Sequence, residues 1–330
     1  MSKDKKKRVL SGVQPSAGQV HIGNYLGAMK RFVQLAKEHE TFFCVVDLHA
    51  LNTVKDAKEL RGYTHSLAAA YLAIGIDPEE TVLFRQSDLP EVCELSWILA
   101  CNFPLGLLER GHALKDARAK GDKVDSGLMY YPILMAADIL LYKANLIPVG
   151  ADQKQHIEMT REIAQKMNLA YGEIFPVPEP MIEEATGIIP GLDGRKMSKS
   201  YDNYIGLFET EKKLKKKVMK IVTDSLGVED KKDPESCNVF KLYKLFADPS
   251  QQVALADKYS AGGMGYGEAK LDLFEVMNQE LAPLRESYEN WISRPDDLED
   301  VLRQGAKKGR EEAAATMAEL RNAIGIGPLS

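Results

Sequence analysis

The chain has 330 residues, 45% hydrophobic and 28% charged, enough apolar matter for one large core or two ordinary ones. Its net charge of −5 excludes a protein coated in basic charge, though not a local basic patch, and no apolar run is long enough to span a bilayer. The four cysteines, Cys44, Cys93, Cys101 and Cys237, form no C-x-x-C pair, so zinc-ribbon and thioredoxin readings fail and reduced thiols of a cytosolic protein are expected.

The N-terminal run from Met1 to Arg8 is charged and lacks the apolar middle of a secretion signal; a solvated end is expected there. Short stretches rich in β-formers follow at 8–11 and 42–47. Between them, residues 25–39 carry Leu26, Met29, Phe32, Val33 and Leu35 at helical spacing. Residues 56–74 read as a second helix, 81–84 as a buried strand, 146–149 as another, and 152–167 as a helix. Strands alternating with helices imply an α/β fold, a parallel sheet covered on both faces. After about residue 200 the β signals thin out, and 210–222, 252–259, 268–291 and 298–323 read as helices, with a glycine-rich turn at 262–267. A domain boundary is therefore expected near residue 200.

Four segments carry chemistry. From Ser11 to Gly27 the chain leaves the first strand and enters the first long helix. Its glycines let backbone approach a ligand, and a helix N-terminus suits phosphate. His21 and Asn24 add side-chain donors, although for this segment alone a glycine-rich turn with a half-buried histidine is the simpler account. Lys196-Met197-Ser198-Lys199-Ser200 places two lysines around a hydroxyl in a loop. Such cations can bracket a polyphosphate and stabilise the charge that builds on departing pyrophosphate, and a mobile loop lets them act mainly on the transition state.

Tyr131 to Tyr142 is apolar nearly all round, so a buried helix is expected, with Asp138 in its middle. A buried carboxylate needs a partner. Either a ligand ring with one N–H, such as indole, or a neighbouring protein group supplies it. The stretch from Pro148 to His156 leaves a strand and enters a helix, where ligands of open parallel sheets collect. Asp152 suits ribose hydroxyls or a helix N-cap, and Gln153 suits an α-amino group.

Taken together these segments resemble the bacterial tryptophanyl-tRNA synthetases, a family of class I aminoacyl-tRNA synthetases, over nearly the whole chain. His21-Ile22-Gly23-Asn24 matches the family's HIGH-like signature, the KMSKS signature is complete, and MAADILLY at 135–142 is similar to the tryptophan-pocket helix. The related tyrosyl-tRNA synthetases share the fold and signatures but fit MAADILLY poorly.

The resemblance implies a Rossmann-like catalytic domain over residues 1–200, with a dimer-interface segment at about 85–145 and the KMSKS loop at 196–200, then a helical anticodon-binding domain over 201–330. It implies that Asp138 accepts the indole N–H, that Met135, Ile147 and Val149 line the ring pocket, and that Tyr131, Gln14 and Gln153 hold the ammonium group. It implies ATP contacts from His21, Gly23, Asn24, Gln14, Pro15, Ser16, Gly150, Ala151, Asp152, Ile188, Met197, Ser198 and Ser200. Lys115, Lys196 and Lys199 would hold the β- and γ-phosphates with Mg²⁺, which no protein group need ligate.

Also implied are L-tryptophan and tRNA(Trp) as substrates, a cytoplasmic homodimer with no membrane partner, and Lys212 to Lys217 facing tRNA, although a solvated helix face explains that run as well. Ala151 and Leu10 depart from the family's usual Glu and aromatic. Some members hold an iron–sulfur cluster on four cysteines in the helical domain. Cys237 stands without cysteine neighbours there, so no cluster is expected. Two other readings are a retired paralogue that only binds tRNA or protein, and a small nucleotidyltransferase, which would leave KMSKS and the helical half without a purpose.

Overall fold

The computed structural model describes residues 6–16, 20–121, 123–150, 153–182 and 189–327. Strand β1 (Arg8–Val13) lies parallel to β2 (Glu40–Val45), pairing from Arg8 with Glu40 to Val13 with Val45. Between them one helical turn, α1 (Ile22–Asn24), runs through a π-helical turn at Tyr25–Met29 into α2 (Lys30–Glu38). The single helix expected over 25–39 thus begins with a wide turn, a feature that clusters at functional sites.

The chain continues through α3 (Asp47–Ala50), α4 (Ala57–Ala73), β3 (Val82–Arg85), α5 (Glu91–Ala100), α6 (Leu105–Glu109), α7 (His112–Lys120) and α8 (Ser126–Leu141). Then come β4 (Leu146–Val149), α9 (Lys154–Tyr171) and β5 (Glu179–Ile182). Among the described residues the sheet has five strands in the order β3-β2-β1-β4-β5, and all its pairings are parallel. β5 was not expected from the sequence: Pro180 argues against a strand interior, and the segment fits only because it is an edge strand.

Every side chain of β2 after Glu40 is buried, so alternate residues enter opposite layers. Phe43 and Val45 pack with Phe32 and Tyr71 of α2 and α4; the Phe43 and Tyr71 rings are stacked 5.7 Å apart. Phe42 and Cys44 pack with Phe84 and the apolar sides of α5, α8 and α9, and Phe42 stacks on Tyr142 at 5.1 Å.

Beyond residue 200 the helices are α10 (Glu211–Val218), α11 (Asn238–Tyr243), α12 (Pro249–Ala261), α13 (Tyr266–Ile292) and α14 (Pro295–Ile324). α11 is too short to show a periodicity and was not expected. The glycine turn occupies 262–265, with Gly262 and Gly263 at φ of +81° and +84°, while Tyr266 and Gly267, expected within the turn, already open α13.

α13 packs along α4, and α14 covers the edge strand β3. That approach is so close that a Cβ on Gly305 would overlap the Leu83 carbonyl. Arg85 and His65 both pair with Glu299 of α14 at 3.0 and 2.6 Å, and Arg8 pairs with Glu312 at 2.8 Å. Covering an edge in this way removes a template for unwanted strand pairing.

Candidate active site

In an open parallel sheet, ligands gather beyond the C-terminal ends of the strands, where the order reverses. Here the reversal lies between β1 and β4, and the functional candidates sit just past the strand ends: Gln14 after β1, His49 after β2, Gln86 after β3 and Gly150 after β4.

His21 is the N-cap of α1. Its Nδ1 accepts the Asn24 backbone N–H at 3.2 Å, and the Asn24 side-chain oxygen accepts the His21 N–H at 3.2 Å. This is a reciprocal capping box built from histidine and asparagine. With Nδ1 committed as an acceptor, the neutral ring carries its proton on Nε2, which is left as a donor. Burial, and after it the charge of Lys199, lower the imidazole pKa to about 4. Gly23 is required beside it, since a Cβ there would come within 2.9 Å of the His21 ring.

The KMSKS segment follows a hairpin in which the Gly191 N–H donates to the Arg195 carbonyl at 2.7 Å. Met197 is buried, and its N–H donates to the Ile189 carbonyl at 2.9 Å. Asn203 organises the rest: its Oδ1 accepts the Ser198 N–H at 2.8 Å, and its Nδ2 donates to Asp193 at 2.7 Å and to the Lys196 carbonyl at 3.1 Å. The Ser198 hydroxyl accepts the Ser200 N–H at 3.2 Å, opening a tight turn that carries Lys199. The segment after this turn docks on the first signature, with the Ile22 N–H bonded to the Ile205 carbonyl at 2.9 Å and the Leu207 N–H to the Val20 carbonyl at 2.8 Å.

The two signatures therefore share one cavity of about 320 Å³, within the range of small-molecule sites. Gln14, Pro15, Ser16, His21 and Asn24 form one wall and Ser198 and Lys199 another. Tyr63 and Ser66 of α4 also face it, and sequence reading did not single them out. Burial lowers the Lys199 pKa, consistent with an ammonium facing a partly dry space. Lys196 and Ser200 are exposed, and neither is part of the wall; the same is true of Lys115 on α7.

Asp138 lies on α8 and is 6% exposed. Gln86 Nε2 donates to its two oxygens at 2.7 and 2.9 Å, and His49 Nε2 lies 3.0 Å from Oδ2. Ile147, with half-buried Met135 and Val149, belongs to the apolar cluster on this side of the sheet, as do Leu10 and Cys44. Next to this group, the Tyr131 hydroxyl is 2.6 Å from His156 Nε2, and His156 Nδ1 is 2.9 Å from the Gln153 side-chain oxygen.

Gln14 joins the two regions: it lines the cavity, and its Nε2 donates to the Thr53 hydroxyl at 3.1 Å and reaches the His49 carbonyl at 3.5 Å. His49, Gln86 and His156 were missed from the sequence. His156 had a signal, since it stands one helical turn from Gln153. Ala151, Asp152 and Ile188 lie outside the described residues.

A family model described as tRNA synthetases class I (W and Y) matches residues 2–282. The chain is 47% identical to the tryptophan–tRNA ligase of Fusobacterium nucleatum, over 97% of this chain and 98% of that one. It is 47% identical to the enzyme of the same name from Rhodopirellula baltica, over 97% and 99% of the two chains. The crystal structure of tryptophanyl-tRNA synthetase from Campylobacter jejuni, complexed with ADP and tryptophan, superposes with a TM-score of 0.92 at 46% identity, covering 97% of this chain and all of that one (100%). A tyrosyl-tRNA synthetase from Archaeoglobus fulgidus, 20% identical with a TM-score of 0.65, shares the fold.

Proposed function

The chain belongs to the class I tRNA synthetases of the tryptophan and tyrosine type, and from that premise we propose that it activates L-tryptophan with ATP and transfers it to tRNA(Trp). The observation that carries the choice of tryptophan is the buried carboxylate of Asp138 on α8, a helix whose apolar residues belong to the same cluster as Ile147, Met135 and Val149. A buried acceptor amid apolar side chains suits a bicyclic ring with one N–H.

A carboxylate oxygen of tryptophan attacks the α-phosphorus of ATP. The bond from that phosphorus to the bridging oxygen breaks, and pyrophosphate leaves with the electron pair. Tyr131, Gln14 and Gln153 hold the ammonium group, and Asp138 accepts the indole N–H. His21, through Nε2–H, and Asn24 donate to phosphate oxygens, and the turn at Gln14, Pro15 and Ser16 lies along the nucleotide. Gly23, Gly150, Ala151, Asp152, Ile188, Met197, Ser198 and Ser200 complete the nucleotide contacts.

Lys199 meets the leaving phosphates from the cavity wall, and Lys196 and Lys115 join it as the surrounding segments close. Lys115, Lys196 and Lys199 would share the β- and γ-phosphates with a Mg²⁺ ion bound to ATP, which would supply further positive charge there. In the second step the 2′-OH of the terminal tRNA ribose attacks the acyl carbon, the bond from that carbon to the phosphate oxygen breaks, and AMP leaves with the electron pair as the hydroxyl proton passes to a phosphate oxygen. No protein group forms a covalent bond; positioning and charge stabilisation lower the barriers.

Residues 1–200 act as the catalytic domain and 201–330 as the anticodon-binding domain. On α10, Lys217 is held inward by Glu209 at 2.6 Å, while Lys212, Lys213 and Lys216 are exposed and suited to tRNA phosphates. The protein acts in the cytoplasm as a homodimer through the segment at about 85–145. Trp97, 71% exposed, and Leu105, 58% exposed, support that interface. Among the described residues, no helix is long and apolar enough to cross a membrane.

Pyrophosphate exchange into ATP, run with tryptophan and with tyrosine, tests the reading. Exchange with tryptophan alone is expected. Exchange with neither amino acid would indicate a retired paralogue, and exchange with tyrosine a tyrosyl-type enzyme.

A further inference from the structure

We infer that Gln86 is a positioning residue that orients the Asp138 carboxylate and thereby sets the pocket's preference for a ring bearing an N–H. The inference rests on the reading that Asp138 receives the indole N–H. Gln86 stands at the end of β3, one strand further from the reversal than β2, and is 1% exposed. Its Oε1 accepts the Leu48 backbone N–H at 3.1 Å, which decides which way the amide points. Turned over, it would set its NH₂ against another donor and its carbonyl against a carboxylate. As it stands, both Asp138 oxygens receive from Gln86 Nε2, at 2.7 and 2.9 Å.

His49 Nε2, 3.0 Å from Oδ2, supplies a further N–H to the same carboxylate. Donors around a carboxylate fix the direction of its remaining lone pairs. A carboxylate offers about four acceptor sites, so these contacts leave room for one ligand N–H. A ring atom carrying a lone pair in place of N–H would meet only lone pairs, at the cost of an unpaired buried acceptor. Gln86 acts through Asp138 and need not touch the substrate.

The test is amino-acid-dependent pyrophosphate exchange with tryptophan and with its benzothiophene analogue, in which sulfur replaces the ring N–H. The full-length wild-type protein is expected to prefer tryptophan by roughly 100-fold or more in kcat/KM. In Gln86→Met that preference is expected to fall by at least about tenfold, through a higher KM for tryptophan. The KM for ATP and the kcat/KM for the sulfur analogue should stay as in wild type, whereas general damage to the fold would lower both substrates alike.

A folded Gln86→Met that keeps the wild-type preference overturns the inference. If that variant does not fold, Gln86→Glu, which retains an acceptor for the Leu48 N–H, decides by the same ratio. In wild-type protein, the Gln86 side-chain amide signals should shift when tryptophan binds and shift less with the sulfur analogue; signals unmoved by tryptophan overturn the inference without any substitution. A wild-type enzyme that uses tryptophan but does not distinguish it from the analogue overturns the assignment of Asp138 itself, and the role of Gln86 with it.

Discussion

His21 and Lys199 face one cavity from distant parts of the chain, and burial, followed by the lysine's charge, holds the imidazole pKa at about 4. The ring is therefore neutral at pH 7. Its folded pKa lies below the ordinary 6.5, so the unfolded chain binds the extra proton between those two values. The stability that follows from a neutral His21 is complete above about pH 6.5 and is lost as pH falls toward about 4. The loss amounts to about 2 to 3 kcal/mol. Urea unfolding at pH 7.5 and pH 5 should show a larger drop for wild type than for His21→Asn; equal drops would contradict the buried neutral ring.

Lys199→Ala removes a cation from the cavity wall, where the proposed mechanism places the departing pyrophosphate. Exchange should slow about 100-fold with tryptophan binding spared, as for a contact made mainly in the transition state. The same change takes a positive charge away from His21, so the imidazole pKa should rise, which an NMR titration reads directly. Equal weakening of tryptophan binding and exchange would count against a transition-state role.

Asp138→Ala should lower kcat/KM for tryptophan about 100-fold or more. Stability should fall by about 1 to 3 kcal/mol, because the buried Gln86 amide loses its acceptor. Loss of stability with exchange intact would make Asp138 a structural residue.

Gly191→Ala tests the loop without touching a lysine. A Cβ there would lie 2.4 Å from Asn203 Nδ2 and 2.6 Å from the Asn203 carbonyl, so Asn203 must move. Asn203 holds both the Ser198 N–H and the Lys196 carbonyl. We expect a stability cost of about 1 to 3 kcal/mol and a fall in kcat that exceeds any change in tryptophan affinity. Unchanged kcat would show that the loop's anchoring does not limit adenylate formation.

The alternation of β1 to β4 with α2, α4 and α9 was legible because its apolar spacing is local, and the same holds for the buried helix around Asp138, whereas α3 and α5 to α7 were not read from the sequence. KMSKS stands out in the sequence because it is a contiguous run whose residue types suit phosphate, whereas HIGN, a weak signal alone, stands out only beside it. β5 and α11 were not legible, since one contains a proline and the other is too short to show a period. Nor could local pattern show that Lys115 and Lys196 stand outside the cavity wall while Tyr63 and Ser66 stand in it. Helix rotation and loop path decide that.

Order along the chain was sufficient for the fold class, the two signatures and the need for a partner at Asp138, because periodicity and the cost of burying charge act on neighbouring residues. The identity of that partner was a matter of folding. Gln86 and His49 come from the ends of different strands, and only the parallel sheet brings their side chains to one carboxylate. The meeting of His21 with Lys199 has the same origin: backbone pairing of Ile22 with Ile205 and of Val20 with Leu207 closes the cavity, and a long-range pairing of that kind leaves no mark in either local sequence.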